Sequence, residues 1–546
     1  MSGGPIRSKR RRAYPPWLLW ALLGLVASGC VSVRRFLVPP PSATGQQPVR
    51  QAAVKTIHAE LLLIAAAVHG VPGARAVAIR AGQVMAVGTP LEISATLGPS
   101  TQMVSVPGAV IMLGLVDAHV HLQGAAQLRD AADLSTVNDE ASLRAAVQAA
   151  AATADEWLWG FGLSQQVFAS MPASAIEAAL EGKAAYLSRA DGHGARVTEA
   201  LIDSLPKPLA AQVAAADGRI DEVLAQQVWR ELPPLRPARL RPLLRQTLMD
   251  LQRQGITEVH AMGEPAAVAM VLTELDHEGR LPMRVRLYLD LERSEGRRLL
   301  DGTYTLPNKG LLDVAGVKVW LDGTLGARTA ALSQPYSDDP STSGRLLLTD
   351  SALQQVIERA DRRKLQVAVH AIGDAAVGQV VRVLQGMKRP ERAKPVRIEH
   401  AQVVSPEQMA ALATLAVECS IQPRHAAADH AFAAARLGRD RLSWSYRGLE
   451  LAKVCNVRSG SDMPVLPAGP IADWRALLKG PGGATEQAQG LALAAITAGG
   501  TAAVAASIAS GTPADLVVWS ADPRKDAKAK PLWVVLAGSA LRLVDE

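Results

Sequence analysis

Three residues with polar, ligand-type side chains alternate along one short stretch of the sequence. An apolar run over residues 109–116 is followed directly by Asp117, and then by His119 and His121. If this run is a β-strand, alternate side chains point to the same face, so the three residues share one face. Two imidazoles in this arrangement can hold one metal ion. The pair alone is a weak signal, and the prediction depends on whether later strands supply further ligands.

Four further polar residues stand in or at the ends of later strand-like runs. Lys318 lies within the apolar run of residues 314–321, where a buried amine is costly unless it is paired or chemically altered. His370 ends the next run, His400 ends the one after it, and Asp462 follows the last. Each alone could be a surface lysine, a core histidine or a capping aspartate. Their joint occurrence at strand ends predicts one metal site.

The elements that must position these residues alternate strands with helices. Eight strand-like runs are predicted, at about residues 110–117, 256–260, 283–289, 314–321, 365–369, 396–400, 416–421 and 454–460. This alternation is typical of an α/β fold with a parallel (β/α)8 TIM barrel, whose active site lies at the carboxyl ends of the strands. The gap after the first run is too long for one helical connection. A large insertion after strand one is therefore predicted, at about residues 122–240.

Short β-rich runs flank the barrel pattern on both sides. Residues 76–88 form a predicted hairpin, and residues 514–519 and 531–544 have similar patterns,. Such runs predict one small β-sandwich domain built from both terminal segments. The predicted boundaries are residues 53–108 for its first part, 109–500 for the barrel and 501–546 for its second part.

The composition excludes a nucleic-acid-binding surface. Hydrophobic residues make up 49% of the chain and aromatic residues only 4%, so the core is predicted to be large and aliphatic. The formal net charge is +7, but five of the positive charges lie within residues 7–12. The rest of the chain is nearly balanced, which is typical of an enzyme that acts on a small molecule.

The first residues are typical of an export signal. A basic segment at residues 7–12 precedes an apolar stretch at 17–26, which is too short to span a bilayer,. Small residues then precede Cys30, as in a bacterial lipobox. Residues 1–29 are therefore predicted to be a lipoprotein signal peptide, with Cys30 lipidated in the cell envelope and residues 30–52 as a flexible tether. The alternative is an uncleaved N-terminal anchor.

The other two cysteines, Cys419 and Cys455, lie in apolar surroundings. Their spacing is not that of a cysteine metal site. Both are predicted to be free buried thiols.

The set of His-x-His, lysine, two histidines and aspartate resembles the ligand pattern of the amidohydrolase superfamily. Within it, the chain is similar to the branch of YtcJ-like and N-substituted formamide deformylase proteins, amidohydrolase family 3, from about residue 56 onwards. The motifs that carry the resemblance are RADGH at 189–193, GVKVWLDGTLGARTA at 316–330, VHAIGD at 369–374, RIEHA at 397–401 and GSDMP at 460–464.

This resemblance implies a metal-dependent hydrolase that cleaves a non-peptide carbon–nitrogen bond, in an amide or an N-acyl or N-formyl amine. Two divalent ions are implied, with zinc as the first expectation and manganese, iron or cobalt as alternatives. Lys318, carboxylated by carbon dioxide to a carbamate, would bridge them. The implied ligands are His119 and His121 for one ion, His370 and His400 for the other, and Asp462 for the first ion and the attacking water. Asp462 would also carry the proton during catalysis.

Four residues outside the ligand set are candidates for contact with the substrate. Asp191 and His193 lie in a loop of the insertion, where the resemblance implies that His193 polarises the substrate carbonyl or closes the pocket; the alternative is a loop histidine fixed by Asp191. Arg328 is a candidate partner for a substrate carboxylate, with structural loop pairing as the alternative, and His425 follows strand seven. His260 is predicted to be a structural histidine.

The chain departs from the branch where substrate would be held. Ala261 stands where aspartate is common, and Arg196 and Val197 replace the usual Asn-Ser. Because every implied metal ligand is present, metal-dependent hydrolysis is a firmer expectation than any substrate. Two alternatives stay open: deamination or cleavage of a cyclic amide or ester by the same superfamily chemistry, and a non-catalytic binding lipoprotein. Barrels of this kind are commonly dimeric, so a homodimer is also an open expectation.

Overall fold

The structure, a computed structural model, describes most of the chain beyond residue 56. The described residues are 57–151, 157–190, 194–233, 235–307, 310–387, 392–480, 482–498 and 507–543. The predicted signal peptide, Cys30 and the tether lie outside these ranges. Asp191 and His193 lie outside them as well.

Eight parallel strands form the central sheet, which is nearly closed into a barrel. We number them one to eight in chain order: Leu115–Val120, Ile256–Glu264, Arg284–Asp290, Leu312–Trp320, Gln366–Ala371, Val396–His400, Val417–Ile421 and Asn456–Ser459. Strands that follow one another in this series also pair in the sheet. The segment after strand eight approaches strand one at a parallel bridge between Val120 and Met463. This arrangement confirms the predicted TIM barrel.

Helices surround the barrel and cover the outer faces of its strands. They are Leu122–Leu128, Pro237–Gln252, Ala266–His277, Ser294–Asp301, Asp350–Arg362, Asp374–Gly386, Pro406–Leu412, His425–Ala428, His430–Ser443, Gly448–Leu451, Pro470–Leu477 and Glu486–Ala495. In Asp350–Arg362, for example, Leu353, Ile357 and Ala360 are buried, at the spacing that places them on one helical face. Among the described residues, no helix combines the length and apolarity needed to cross a membrane.

The apolar run before the first metal-ligand candidates is divided between two sheets. It was predicted as one barrel strand over residues 110–117, and that prediction is wrong. Val110–Leu113 belongs to the small β domain, and the barrel strand starts at Leu115. The chain changes sheets at Gly114, where an added Cβ would lie 2.0 Å from Thr257 Oγ1. Both halves are buried and apolar, so hydrophobic periodicity could not show the change.

Two smaller sheets enclose a shared core as the predicted β-sandwich. One has the strand order Gln83–Gly88, Ala76–Arg80, Leu61–Ile64, Gln102–Ser105; the other has the order Ala67–Val68, Val110–Leu113, Leu516–Trp519, Pro531–Leu536, Ser539–Arg542. Leu63 and Ile79 of the first sheet share a buried core with Leu516 of the second. Segments from before and after the barrel therefore fold together.

The predicted insertion after barrel strand one contains its own sheet. Its strands, in spatial order, are Arg219–Asp221, Gly194–Val197, Ala185–Arg189, Leu158–Leu163 and Ala132–Asp133. Its helices are Glu140–Ala151, Gln165–Ser170, Ala173–Leu180, Glu199–Ser204, Lys207–Ala215 and Glu222–Glu231. Two buried clusters, one around Leu187 and one around Val228, form its core.

Cys419 and Cys455 form a disulfide, so the prediction of two free thiols is wrong. Cys419 lies in barrel strand seven, opposite Val457 of the parallel strand eight. Cys455 directly precedes strand eight, and the two Cα atoms are 6.2 Å apart. This separation is within the range that a disulfide spans. A sequence separation of 36 residues does not reveal that the two strands are neighbours.

Replacing Gly316 by alanine is expected to destabilise the barrel beneath the candidate site. An added Cβ would lie 1.7 Å from the carbonyl oxygen of Gln366 in the neighbouring strand. The backbone must shift to remove this steric clash. We therefore expect a loss of about 1–3 kcal/mol in the free energy of unfolding. Chemical denaturation measures this change. Gly490→Ala is the matched control, since nothing lies within 4 Å of its Cβ position and alanine favours a helix by about 1 kcal/mol; equal stabilities would contradict this explanation.

Candidate metal centre

The six predicted metal ligands lie at the carboxyl-terminal end of the barrel. They are His119 in strand one, His121 directly after it, Lys318 in strand four, His370 in strand five, His400 at the end of strand six and Asp462 after strand eight. All except the partly exposed His121 are buried. Ligand atoms of His119, His400 and Asp462 lie within 4.8 Å of one another.

The segment after barrel strand eight is held against strand one by backbone contacts. The Asp462 N–H donates to the His119 carbonyl oxygen at 2.8 Å. The Ser461 N–H donates to Asp117 Oδ1 at 2.9 Å. An added Cβ at Gly460 would lie 2.3 Å from the His119 nitrogen. Asp117 therefore positions the backbone, and glycine at 460 permits the close approach that brings Asp462 to the two histidines.

His119 and His121 both direct an unprotonated nitrogen toward Asp462. His119 Nδ1 donates to Glu399 Oε2 at 2.7 Å, and His121 Nδ1 donates to the Met262 carbonyl oxygen at 2.8 Å. A neutral imidazole carries one N–H, so Nε2 of each ring has a lone pair. These Nε2 atoms lie 3.3 and 3.0 Å from Asp462 Oδ1. Three electron-pair donors this close repel one another unless a cation lies between them.

His370 and His400 form the other half of the centre. Their ring centroids are 4.4 Å apart. His400 Nδ1 donates to Gln422 Oε1 at 2.7 Å, which leaves Nε2 with a lone pair. His370 Nε2 donates to the Gly323 carbonyl oxygen at 3.1 Å, which leaves Nδ1 with a lone pair. Each of the four histidines thus has one nitrogen fixed by a protein oxygen and one available to a metal, as is usual for metal-ligating histidine.

Burial keeps His119, His370 and His400 neutral, which is the form that binds metal. Burial, with a smaller contribution from the Lys318 charge, lowers the pKa of His119 to about 4 and that of His370 to about 3. Burial and the neighbouring His370 lower the pKa of His400 well below its ordinary value. Neutral imidazole and carboxylate ligands fit a divalent ion such as zinc.

Lys318 lies beside His119 in the barrel interior. Its side chain is fully buried, and Nζ is 3.5 Å from His119 Nε2. Nζ also lies 5.3 Å from the centroid of the Trp320 ring, which is two residues further along the same strand face. Burial lowers the pKa of the amine, because a charged ammonium loses its hydration there. The amine is therefore placed for chemistry rather than for a surface ion pair.

Two ligands have a backbone conformation that a regular strand does not allow. His400 has φ 73° and Asp462 has φ 60°, both in the left-handed region that non-glycine residues rarely adopt. In a regular strand, His400 would point away from the barrel interior, since Glu399 before it points inward. The positive φ redirects the His400 side chain to the centre. Such local strain is typical of functional sites.

Two residues without an assigned role in the sequence analysis orient the ligands. Glu399 receives the His119 N–H, and Gln422 receives the His400 N–H. Glu399 is part of the RIEHA motif and Gln422 follows strand seven, which were the available signals. Their histidine partners lie on other strands, and the pairing follows only from the closure of the barrel.

The remaining candidate residues that the structure describes lie outside this group of contacts. Arg328 is paired with Asp338, with Nη2 and Oδ2 3.0 Å apart. His425 begins a short helix and is partly buried. His260 bonds to Glu258 at 2.8 Å deep in the barrel, which agrees with its predicted structural role. The substrate contacts predicted for Arg328, His425, Asp191 and His193 stay predictions.

The sequence profile of the amidohydrolase family matches residues 102–538. The chain is similar to YtcJ of Bacillus subtilis (strain 168), which is named as an amidohydrolase, with 27% identity over 398 residues that cover 68% of this chain and 74% of YtcJ. It is 23% identical over 386 residues to the N-substituted formamide deformylase of Arthrobacter pascens, which covers 64% of this chain and 69% of that protein.

A solved structure shares the architecture. It is an uncharacterized metal-dependent hydrolase from Pyrococcus horikoshii OT3, with a TM-score of 0.72 and 25% identity. The match covers 85% of this chain and 98% of that one. Most of this chain therefore shares its architecture with a solved protein that is named as a metal-dependent hydrolase.

Proposed function

Because this chain belongs to the amidohydrolase family and is a metal-dependent hydrolase of carbon–nitrogen bonds, we propose that it hydrolyses an N-acyl or N-formyl amine. The observation that carries the proposal is the convergence of the lone pairs of His119, His121 and Asp462, at 3.0 and 3.3 Å. A relative named as an N-substituted formamide deformylase supports this substrate class.

The ligand set supports a centre for two divalent ions, with zinc as the first choice. His119, His121 and Asp462 would hold one ion, and His370 and His400 the other. When bound, such ions polarise the substrate carbonyl and make hydroxide available from water near neutral pH. Imidazole nitrogens and carboxylate oxygens suit zinc, and the same atoms also accept manganese, iron or cobalt.

We further propose that Lys318 is carboxylated and bridges the two ions. The neutral amine nitrogen forms a bond to the carbon of carbon dioxide as one C=O π bond opens, one N–H proton leaves to solvent, and a carbamate results whose single negative charge is shared by two oxygens. Burial favours the neutral amine that this reaction needs, since it lowers the pKa of Lys318. The change converts a buried amine 3.5 Å from a metal ligand into an anionic ligand.

Asp462 would carry the proton during hydrolysis. Its Oδ1 atom faces His119 and His121, so the carboxylate could hold the ion through this oxygen and accept a proton on Oδ2. As the water oxygen bonds to the carbonyl carbon, Asp462 takes the proton that the water loses. The C–N bond then breaks while Asp462 returns this proton to the leaving nitrogen. The products are a carboxylic acid and an amine.

The side chain of Trp320 favours a substrate that carries an apolar group. Its partly exposed side chain ends barrel strand four, opposite His370 in the neighbouring strand. One edge of the indole faces Gly263, where an added Cβ would lie 2.8 Å from the ring. A flat aromatic surface beside the reacting centre suits the hydrocarbon part of an amine or acyl group. Arg328 is already paired with Asp338, which favours an uncharged substrate.

The test is turnover of N-formyl and N-acetyl benzylamine by the full chain supplied with zinc and bicarbonate. We expect release of benzylamine together with formate or acetate in equal amounts, and no release in His119→Ala. Ammonia release from a heterocyclic amine, without cleavage of the amides, would favour the deaminase alternative. Tight binding of the amides without turnover by the metal-loaded protein would favour the binding-protein alternative.

We also propose that the chain is exported and anchored to the cell envelope by a lipid on Cys30. The lipobox-like sequence supports the anchor, and the Cys419–Cys455 disulfide supports an oxidising compartment,. Replacing Cys30 by serine is expected to move the protein from the membrane fraction of bacterial cells to the soluble envelope fraction and to abolish incorporation of labelled palmitate. Unchanged palmitate incorporation would contradict the assignment of Cys30.

A further inference from the structure

We propose that Glu399, held by Arg397, is a positioning residue that sets the tautomer and the ring orientation of His119. The inference rests on the proposed metal centre and deepens it. It gives a role to a buried ionic network that lies beneath the ligands. None of the chemistry described above for hydrolysis uses this network directly.

Glu399 uses both carboxylate oxygens inside the barrel. Oε2 receives the N–H of His119 Nδ1 at 2.7 Å, and Oε1 receives the N–H of Arg397 Nε at 2.5 Å. Glu399, Arg397 and His119 are all fully buried. A carboxylate oxygen accepts and cannot donate, so the proton lies on His119 Nδ1 and the lone pair on Nε2. Gln422 Nε2 is 3.4 Å from the same Nδ1, and the shorter contact with Glu399 decides the tautomer.

One strand supplies the whole arrangement. Arg397 and Glu399 alternate along barrel strand six and therefore both point to the interior,. His400 directly follows Glu399 and turns inward through its positive φ of 73°. Strand six thus delivers a ligand for one half of the centre and the carboxylate that orients a ligand of the other half.

Arg397 is itself fixed on every side chain nitrogen. Beyond its bond to Glu399, Nη1 donates to Glu418 Oε1 at 3.0 Å and lies 2.6 Å from His260 Nδ1. Nη2 donates to the carbonyl oxygen of Ala118, the residue next to His119 in strand one. Strand six therefore holds both the ring of His119, through Glu399, and the adjacent backbone, through Arg397.

This arrangement predicts what the loss of one charge does. In Glu399→Gln, the amide either keeps its oxygen toward His119 without the negative charge, or turns and donates its N–H₂ to Nδ1. The first outcome weakens the imidazole as a ligand, and the second moves the His119 proton to Nε2, where the metal binds. Partners of this kind change metal affinity by about 10–100-fold when mutated.

The experiment measures the affinity of the full chain for Co²⁺ by chelator competition, together with the visible absorption of the bound ion. Glu399→Gln is expected to weaken binding by about 10–100-fold and to alter the absorption spectrum. Glu486→Gln is the control, since it makes the same substitution at an exposed position in the helix Glu486–Ala495, outside the strands that carry the six ligands. We expect it to bind cobalt with the affinity and spectrum of the parent.

The inference would be overturned if folded Glu399→Gln bound cobalt with the affinity and spectrum of the parent. It would also be overturned if Glu399→Gln and the control variant lost the same amount of cobalt affinity. If Glu399→Gln does not fold, ¹⁵N NMR of the histidine-labelled parent protein determines the tautomer of His119. The His119 signals are assigned by comparison with His119→Gln. The Nδ1–H tautomer supports the inference, and the Nε2–H tautomer overturns it. Amide turnover tests the proposed function separately from the role of Glu399. A parent protein that binds cobalt but cleaves no amide contradicts the proposed function alone. A parent protein that binds no cobalt contradicts both the proposed function and the inference about Glu399.

Discussion

Lys318→Ala is expected to lose at least one of the two metal ions and to lower kcat by about 10³-fold or more. A bridging ligand holds both ions, and the charge stabilisation that metal ions supply amounts to several kcal/mol, each 1.36 kcal/mol being a factor of ten in rate. The amine lies 3.5 Å from His119 Nε2 in a fully buried position, and alanine places no anionic oxygen there. Elemental analysis and turnover of an N-formyl amine measure the two effects.

Two controls separate the bridge from a general loss of lysine. Lys453 is exposed, and Lys453→Ala is expected to retain metal and activity. Added acetate or formate is expected to restore part of the activity of Lys318→Ala, since a small carboxylate fits the space left by the side chain and supplies the missing anionic oxygens. A Lys318→Ala protein with the metal content and the kcat of the parent would contradict the assigned bridge.

Asp462→Asn is expected to lower kcat by about 10²–10⁴-fold, the usual contribution of a positioned proton carrier. The amide has the size of the carboxylate, but it cannot take the proton from water and return it to the leaving nitrogen. Oδ1 lies 3.0 Å from His121 Nε2, so we also expect weaker binding of the first ion. Steady-state kinetics at saturating metal separates the two effects, since only the proton-transfer defect persists there.

The exposed Asp440 provides the control for this change. Asp440→Asn is expected to have parent kinetics. The assigned role of Asp462 would be wrong if Asp462→Asn, fully loaded with metal, retained the kcat of the parent.

The sequence was sufficient to predict the barrel and the approximate position of its ligands. Strand alternation places Lys318 and Trp320 on one face, and His370 ends the next strand. Because carboxyl ends of parallel strands meet at one rim, residues far apart in sequence could be predicted to lie close together. The alternation of side chains along each strand thus predicted which residues reach the rim. The distances between their side chain atoms depend on how the barrel closes.

The features that the sequence did not reveal depend on contacts between distant segments. Glu399 and His119 are separated by 280 residues, and neither strand alone shows that the carboxylate faces the imidazole. The change of sheet at Gly114 is hidden because the strands on both sides of it are apolar and buried. The Cys419–Cys455 disulfide likewise depends on the pairing of two strands.

The inward turn of His400 could not be derived from periodicity at all. Strict alternation would place it on the outer face, since Glu399 points inward. Its φ of 73° is a local departure from strand geometry that hydrophobic periodicity does not show. Alternation thus fails at His400, which is one of the proposed metal ligands, as expected for a strained functional site.

The most direct test of the account is the metal content of the full chain, purified and equilibrated with zinc and bicarbonate, measured by elemental analysis. Two-metal hydrolase sites predict about two equivalents per chain, and we expect loss of at least one equivalent in His370→Ala. A single equivalent, unchanged in His370→Ala, would contradict the binuclear centre. A chain that retains no metal would contradict the proposed hydrolytic centre itself.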